Sequence, residues 1–141
     1  MHVLELEYQF NMDIETLFSQ WTSAENLKRW MCPNAGEILS CQVDLTVGGR
    51  YTIAMRTQSG EHTVTGTYLE IVPNRRLRFT WGWLGNNWSN EVDVQFFSAD
   101  SGASRLTLRQ REFPSSEDLD QHRDGWNMCV ANIEPDMEPS A

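Results

Sequence analysis

The sequence has few cysteines, and it has no long apolar run. Its 141 residues include three cysteines, Cys32, Cys41 and Cys129, without a CxxC pair among them. This odd number and spacing argue against a disulfide framework and a zinc site, so we expect buried free thiols and no metal. The chain lacks the roughly eighteen consecutive apolar residues of a membrane-spanning helix, and its N-terminus lacks the pattern of a secretory signal. These absences predict a cytoplasmic protein with no membrane span.

Positive charge is also scarce, particularly toward the C-terminus. The chain has 11 Lys and Arg residues against 20 Asp and Glu residues, which gives a formal net charge of -9. From Glu112 onward eight acids stand against a single base, Arg123, so this end carries -7 of that charge. Because an acidic surface repels phosphate groups, we expect neither a nucleic acid nor an anionic membrane as a partner.

Length and composition predict one globular domain. Hydrophobic residues make up 40% of the chain, aromatic residues 11% and charged residues 22%, and no polar low-complexity run divides it. A chain of this length buries a single core. We therefore predict one domain over residues 1–134, followed by a short acidic tail over residues 135–141.

Hydrophobic periodicity predicts that the chain begins with a strand and two short helices. Apolar residues alternate over residues 2–10, as in a half-buried strand, and then follow helical spacing over residues 14–21. Asp13 is placed to cap the first helix. A T-x-x-E capping box that begins at Thr22 predicts the start of the second helix, and Pro33 is expected to end it.

The rest of the chain is predicted to contain six strands and a final helix. Alternating apolar residues between Gly, Asn and Asp turns mark strands in the segments ILSCQVDL, RYTIAMRT, HTVTGTYLEIV, RLRFTWGWL, EVDVQFF and SRLTLRQRE. A helix is expected from a cap at Ser115 or Ser116 to Pro135, with one face formed by Leu119, His122, Trp126, Cys129, Val130 and Ile133. This order predicts an α+β fold in which a seven-stranded antiparallel sheet carries the long C-terminal helix on its apolar face, with the short helices at one end.

Four segments of the sequence also carry a family pattern. They are LFSQWTSAENLKRWMCP, VDLTVGGRYTIAM, GTYLEIVPNRRLRFTWGW and HRDGWNMCVANI. In this order they resemble the START-like, or SRPBCC, superfamily, and within it the homologues of the activator of heat-shock-protein-90 ATPase. The resemblance covers nearly the whole chain and implies the helix-grip fold. The sequence departs from the pattern at Met31, where the family often has a second tryptophan, and at Gln110, where it often has a histidine.

The aromatic residues of this pattern suggest a ligand pocket. Phe79, Trp81 and Trp83 alternate along one predicted strand and therefore share a face, which forms either a pocket wall or a solid core. Many members of the superfamily enclose a cavity for a hydrophobic molecule. The resemblance therefore implies a carrier or sensor of a small hydrophobic or aromatic ligand, bound without a cofactor between the sheet and the C-terminal helix. The predicted ligand-binding residues are Trp30, Tyr51, Ile53, Met55, Phe79, Trp81, Trp83, Gln110, His122 and Trp126.

Two alternatives use the same fold differently. Some members of the superfamily are cyclases or hydrolases, and His122 would be the acid or base here, with Asp118 one helical turn before it. No nucleophile motif accompanies this histidine, and a lone helix histidine is more often a packed side chain. A co-chaperone-like interaction module is the second alternative. Self-association through an edge strand or the helix also stays open.

Overall fold

The computed structural model describes residues 2–32 and 36–133. All the predicted elements are present within these ranges. In chain order they are β1 (His2–Phe10), α1 (Ile14–Thr22), α2 (Ala24–Trp30), β2 (Glu37–Val43), β3 (Arg50–Thr57), β4 (Gly60–Val72), β5 (Arg76–Trp83), β6 (Asn90–Ser98), β7 (Ser104–Phe113) and α3 (Ser116–Val130). Helices α2 and α3 end at Trp30 and Val130, before the predicted stops at Pro33 and Pro135. Both prolines and the predicted tail over residues 135–141 lie outside the described residues.

The seven strands form one antiparallel sheet in the order β1-β7-β6-β5-β4-β3-β2. Strands β2 to β7 follow one another as a meander, and β1 closes the order by pairing with β7. Helix α3 packs on β1 and β7, α1 on β6 and β7, and α2 on β2. This arrangement confirms the predicted α+β helix-grip fold, with both short helices on the same sheet as α3.

The helix starts show where local side-chain chemistry decides a boundary. Asp13 caps α1 as predicted, because its Oδ1 accepts a hydrogen bond from the Thr16 N–H at 2.7 Å. The predicted cap at Thr22 is wrong, since the cap of α2 is Ser23, whose hydroxyl accepts from a backbone N–H of the first turn. Ser23 has the extended backbone that a cap requires (φ -92, ψ 127), whereas Thr22 is still inside α1 and donates its hydroxyl to the Phe18 carbonyl.

The sheet buries one face along most of its strands. In β6, for example, Val92, Val94 and Phe96 are buried while the residues between them are partly exposed. This alternation follows from the two-residue period of a strand and directs the apolar side chains toward the three helices. Among the described residues, no helix has the length and apolar character needed to cross a membrane.

Candidate functional site

A small cavity lies between the sheet and the two short helices. Its volume is about 20 Å³, and its walls are Trp21, Leu27, Met31, Tyr51, Ile53, Tyr68, Leu77, Phe79 and Trp81. All nine side chains are buried. A cavity needs at least about 10–15 Å³ to hold a water molecule, and small-molecule pockets measure roughly 300–1,000 Å³. In this conformation the cavity therefore admits one group of the size of a water molecule.

Strand register explains why aromatic side chains meet at this cavity. Tyr68 of β4 pairs with Phe79 of β5, so the two rings stand side by side on the buried face. The ring of Tyr51, on β3, meets the Phe79 ring edge to face at a centroid distance of 5.5 Å. Such contacts add to the free energy gained by burying the rings. The sheet side of the cavity is thus held in place by ring packing.

Two tryptophans of the cavity wall carry buried indole N–H groups without a partner among the described residues. The Nε1–H groups of Trp21 and Trp81 are buried, and neither donates a hydrogen bond to any described residue. The Tyr51 hydroxyl, in contrast, donates to the backbone carbonyl of Thr80 at 2.6 Å. Burial raises the pKa of Tyr51 well above its usual value, so this phenol stays protonated at neutral pH. The nine wall residues carry no charged side chain.

The region beside α3 is filled by side chains. The Trp126 ring lies 5.0 Å from the Trp81 ring and 5.7 Å from the Trp21 ring, measured between centroids, and Trp83 lies 5.6 Å from Trp81. The space that the sequence suggested between these indoles is therefore occupied by direct ring contacts. The cavity lies instead toward α1 and α2.

Gln110 joins α3 to the sheet through a buried polar chain. Trp126 Nε1 donates to Gln110 Oε1 at 2.8 Å, and Gln110 Nε2 donates to Asn90 Oδ1 at 2.9 Å. All three residues are buried. Gln110, predicted as a polar group for a ligand, thus has both ends of its amide engaged within the protein.

His122 lies in a separate aromatic cluster formed with Trp81, Trp83, Trp88 and Phe113. Its Nε2 accepts a hydrogen bond from the Trp83 indole at 3.1 Å, so the ring proton is on Nδ1, which contacts the backbone carbonyl of Asp118 at 2.8 Å. Burial lowers the pKa of His122, and the bond to the carbonyl opposes this shift. The neutral imidazole has both nitrogens engaged.

The structure brings together only part of the predicted ligand-binding set. Tyr51, Ile53, Phe79 and Trp81 line the cavity, whereas the others do not: Trp30, Met55, Trp83, Gln110, His122 and Trp126. Trp30 is buried, and its indole N–H donates to the backbone carbonyl of Gln20 at 2.8 Å. Met55 is also buried in the core.

Five wall residues were not predicted as ligand-binding: Trp21, Leu27, Met31, Tyr68 and Leu77. The predicted pocket lies between the sheet and α3, and Trp30 is the one residue of the short helices in the predicted set. No sequence signal indicates that α1 and α2 take this place.

The thiols and acids of the described residues suggest no further chemistry at this site. Cys41 and Cys129 are buried and Cys32 is partly buried, and none forms a disulfide. Burial raises the pKa of Cys129 to about 12, which keeps this thiol protonated and unreactive. Within residues 2–32 and 36–133, no group of three His, Cys, Asp or Glu side chains is placed to hold a metal ion.

The fold has many solved relatives of low sequence identity. A protein of Chromobacterium violaceum superposes with a TM-score of 0.87 at 22% identity, covering 99% of this chain and 100% of its own. An AHSA1 protein of Silicibacter pomeroyi gives 0.85 at 24% identity, with 96% and 97% covered, and an AHSA1-like protein of Aeromonas hydrophila gives 0.78 at 24% identity, with 94% and 89% covered. No curated protein matches the sequence.

These structural similarities establish the fold, and a match to a family model establishes the family. The model of the Activator of Hsp90 ATPase homolog 1-like proteins matches residues 11–137, which is most of the 141-residue chain. The matched range includes all of the predicted family segments. The chain therefore belongs to the family of Activator of Hsp90 ATPase homolog 1-like proteins.

Proposed function

We propose that this protein binds a small hydrophobic or aromatic molecule, as a carrier or sensor, between the sheet and the short helices. The observation that supports this function is the buried apolar cavity, whose walls are aromatic or aliphatic side chains. Burial of apolar surface contributes roughly 25 cal/mol per Å², so such walls favour an apolar ligand. The site differs from the sequence-based expectation in its helical wall, which is α1 and α2 in place of α3.

Binding requires the helical wall to move, because the cavity holds only about 20 Å³. Met31 follows the last residue of α2, a helix of seven residues. Methionine is unbranched and flexible, and it adapts to irregular spaces more readily than other apolar residues. We therefore assign Met31 and Leu27 as the side chains that yield to a ligand, while the packed rings of the sheet stay in place.

Tryptophan fluorescence and native mass spectrometry test this function. Two of the wall residues, Trp21 and Trp81, are tryptophans, so a bound ligand is expected to quench their emission in a saturable titration with naphthalene-sized and flavone-sized compounds. Native mass spectra of the same mixtures should show a 1:1 complex. The proposal fails if no compound of the panel gives saturation and no complex is detected.

Substitutions of two buried methionines test whether the ligand binds in this cavity. The substitution Met31→Ala enlarges the cavity and should tighten the binding of naphthalene-sized compounds. Met55→Ala is the matched control, since Met55 is equally buried at 3% exposure against 4% for Met31 but does not line the cavity. Equal effects of both substitutions would place the ligand elsewhere.

The geometry favours a binding protein over a cyclase or hydrolase. His122 does not line the cavity, and both of its ring nitrogens already have partners. The titratable wall residues are Tyr51 and Tyr68, and burial raises the pKa of both phenols. The cavity therefore offers no group that exchanges protons near neutral pH.

A further inference from the structure

Among the described residues, three tryptophans donate their indole N–H to an acceptor, whereas the two tryptophans that line the cavity do not. Trp30, Trp83 and Trp126 donate to a backbone carbonyl, an imidazole and a side-chain amide, respectively, at 2.8 to 3.1 Å. Trp21 and Trp81 have buried Nε1–H groups without an acceptor in residues 2–32 and 36–133, and both residues line the cavity. A buried donor without a partner is unfavourable, and most buried polar groups in proteins have one.

We propose that the cavity recognises a ligand through a neutral oxygen acceptor, such as the carbonyl of an aromatic ketone, ester or quinone, that receives the N–H of Trp21 or Trp81. This inference rests on the proposed function and adds the chemical class of the ligand. An indole nitrogen can only donate, so the matching ligand atom must be an acceptor.

The remaining walls restrict the ligand further. No wall residue is charged, so an anionic oxygen such as a carboxylate would be buried without a counter-charge, which is strongly unfavourable. The Tyr51 hydroxyl already donates to the Thr80 carbonyl and has no hydrogen left for a ligand. The volume of about 20 Å³ matches one small polar group, which places the oxygen in the existing space and the apolar body of the ligand where Leu27 and Met31 yield.

A pair of nearly isosteric probes tests this inference. We would compare 2-acetylnaphthalene with 2-isopropenylnaphthalene, in which a CH₂ group replaces the carbonyl oxygen. Without a hydrogen bond the more hydrophobic alkene binds more tightly. If the Trp21 or Trp81 indole donates a hydrogen bond to the ketone oxygen, the ketone should bind about threefold to tenfold more tightly than the alkene. The dissociation constants come from fluorescence titration of the wild-type protein.

Nuclear magnetic resonance gives a second readout on the unaltered chain. The sequence has six tryptophans, so the indole N–H signals are few and are assigned by single substitutions. The ketone should shift the Trp21 or Trp81 indole proton downfield, as a new hydrogen bond does, and the alkene should not. Equal or tighter binding of the alkene, with no such shift, overturns the inference and leaves the proposed function standing.

Substitutions of tryptophan by phenylalanine identify the indole N–H that produces the preference for the ketone. Trp81→Phe and Trp21→Phe keep an aromatic ring and remove the N–H, so one of them should abolish the preference for the ketone while alkene binding persists. Alkene binding thus reports that the variant is folded. Trp88→Phe is the control, because Trp88 does not line the cavity, and it should retain the preference. Preservation of the preference in both cavity variants, or failure of both probes to bind the wild type, would refute the inference.

Discussion

The indole of Trp126 donates its hydrogen to Gln110 Oε1 at 2.8 Å, with both side chains buried. Because the indole nitrogen only donates, this bond fixes the orientation of the Gln110 amide, whose nitrogen then faces Asn90 Oδ1. Helix α3 is thus joined to β7 and β6 by a continuous polar chain. Breaking one link leaves buried polar atoms without partners, which costs more free energy than the bond itself contributes.

The substitution Gln110→Leu should therefore destabilise the protein strongly despite the similar size of the new side chain. It leaves the Trp126 N–H and Asn90 Oδ1 without partners, and each loss costs about 1–3 kcal/mol. We expect the free energy of unfolding to fall by about 2–4 kcal/mol in urea denaturation. A change below about 0.5 kcal/mol in the free energy of unfolding would contradict a structural role for the hydrogen bonds that join Trp126, Gln110 and Asn90.

The double variant Gln110→Leu/Trp126→Phe separates the stability contributed by the Trp126–Gln110 hydrogen bond from that contributed by the packing of the two side chains. Residues that share a hydrogen bond show non-additive effects, typically of about 0.5–3 kcal/mol. The double variant should accordingly be more stable than the sum of the two single effects predicts. Strict additivity would show that the two side chains contribute independently.

The sequence was sufficient to predict the fold because each element has its own local signal. The alternation in β6 and the cap at Asp13 specify a strand and a helix start without knowledge of the rest of the chain. The cap of α2 shows the limit of this reasoning. Thr22 and Ser23 both have hydroxyl side chains, and which of them leaves the helical conformation depends on how α1 ends.

The candidate site was predictable only in part, because a cavity is a property of packing. Alternation correctly placed Tyr51, Phe79 and Trp81 on one buried face. The periodicity of α1 and α3 shows that each helix has an apolar side, but it does not tell which helix leaves space against that face. The contact between Trp81 and Trp126 rings decides this, and their distance depends on the whole fold.

His122 should make the stability of the protein depend on pH. Burial lowers its pKa below the usual value of 6.5, so below that pH the unfolded chain binds a proton that the folded chain does not. The contribution of the neutral His122 to the free energy of unfolding is therefore fully present above about pH 6.5. It is lost as the pH falls toward the lowered pKa of His122 in the folded protein. Protonation of Nε2 also removes the acceptor for the Trp83 indole.

Urea denaturation of wild type and His122→Gln between pH 8 and pH 5 measures this effect. Acidic side chains titrate in both proteins, so the difference between the two curves isolates His122. We expect the wild type to lose more stability than the variant as the pH falls below about 6.5. Parallel curves would show that His122 is protonated equally in the folded and unfolded chains.

Gly125→Ala should stabilise the protein. Gly125 lies inside α3, and a Cβ atom added there has no heavy atom within 4 Å. Alanine is favoured over glycine in a helix by about 0.5–1 kcal/mol, and we expect a gain of this size in urea denaturation. Gly48→Ala is the control, because the same open space there is combined with a φ of +87°, which alanine tolerates poorly. A stabilising Gly48→Ala, or a destabilising Gly125→Ala, would contradict this explanation.

Gly66→Ala should have the opposite effect, for a steric reason. A Cβ atom at Gly66 would clash with the Thr80 carbonyl oxygen and would lie 2.6 Å from the Tyr51 ring. The same oxygen accepts the Tyr51 hydroxyl, so β4 can relieve the clash only by moving β5 and one wall of the cavity together. We expect a loss of at least about 2 kcal/mol in the free energy of unfolding.

Ligand binding distinguishes this local distortion from a general loss of stability. Since Tyr51 lines the cavity, Gly66→Ala should weaken the binding of naphthalene-sized compounds under conditions where the variant is still folded. Gln110→Leu, which is also destabilising but lies outside the cavity wall, should bind them with nearly wild-type affinity. If the two variants lose stability equally and bind equally well, the contact between Gly66 and Thr80 does not position the wall.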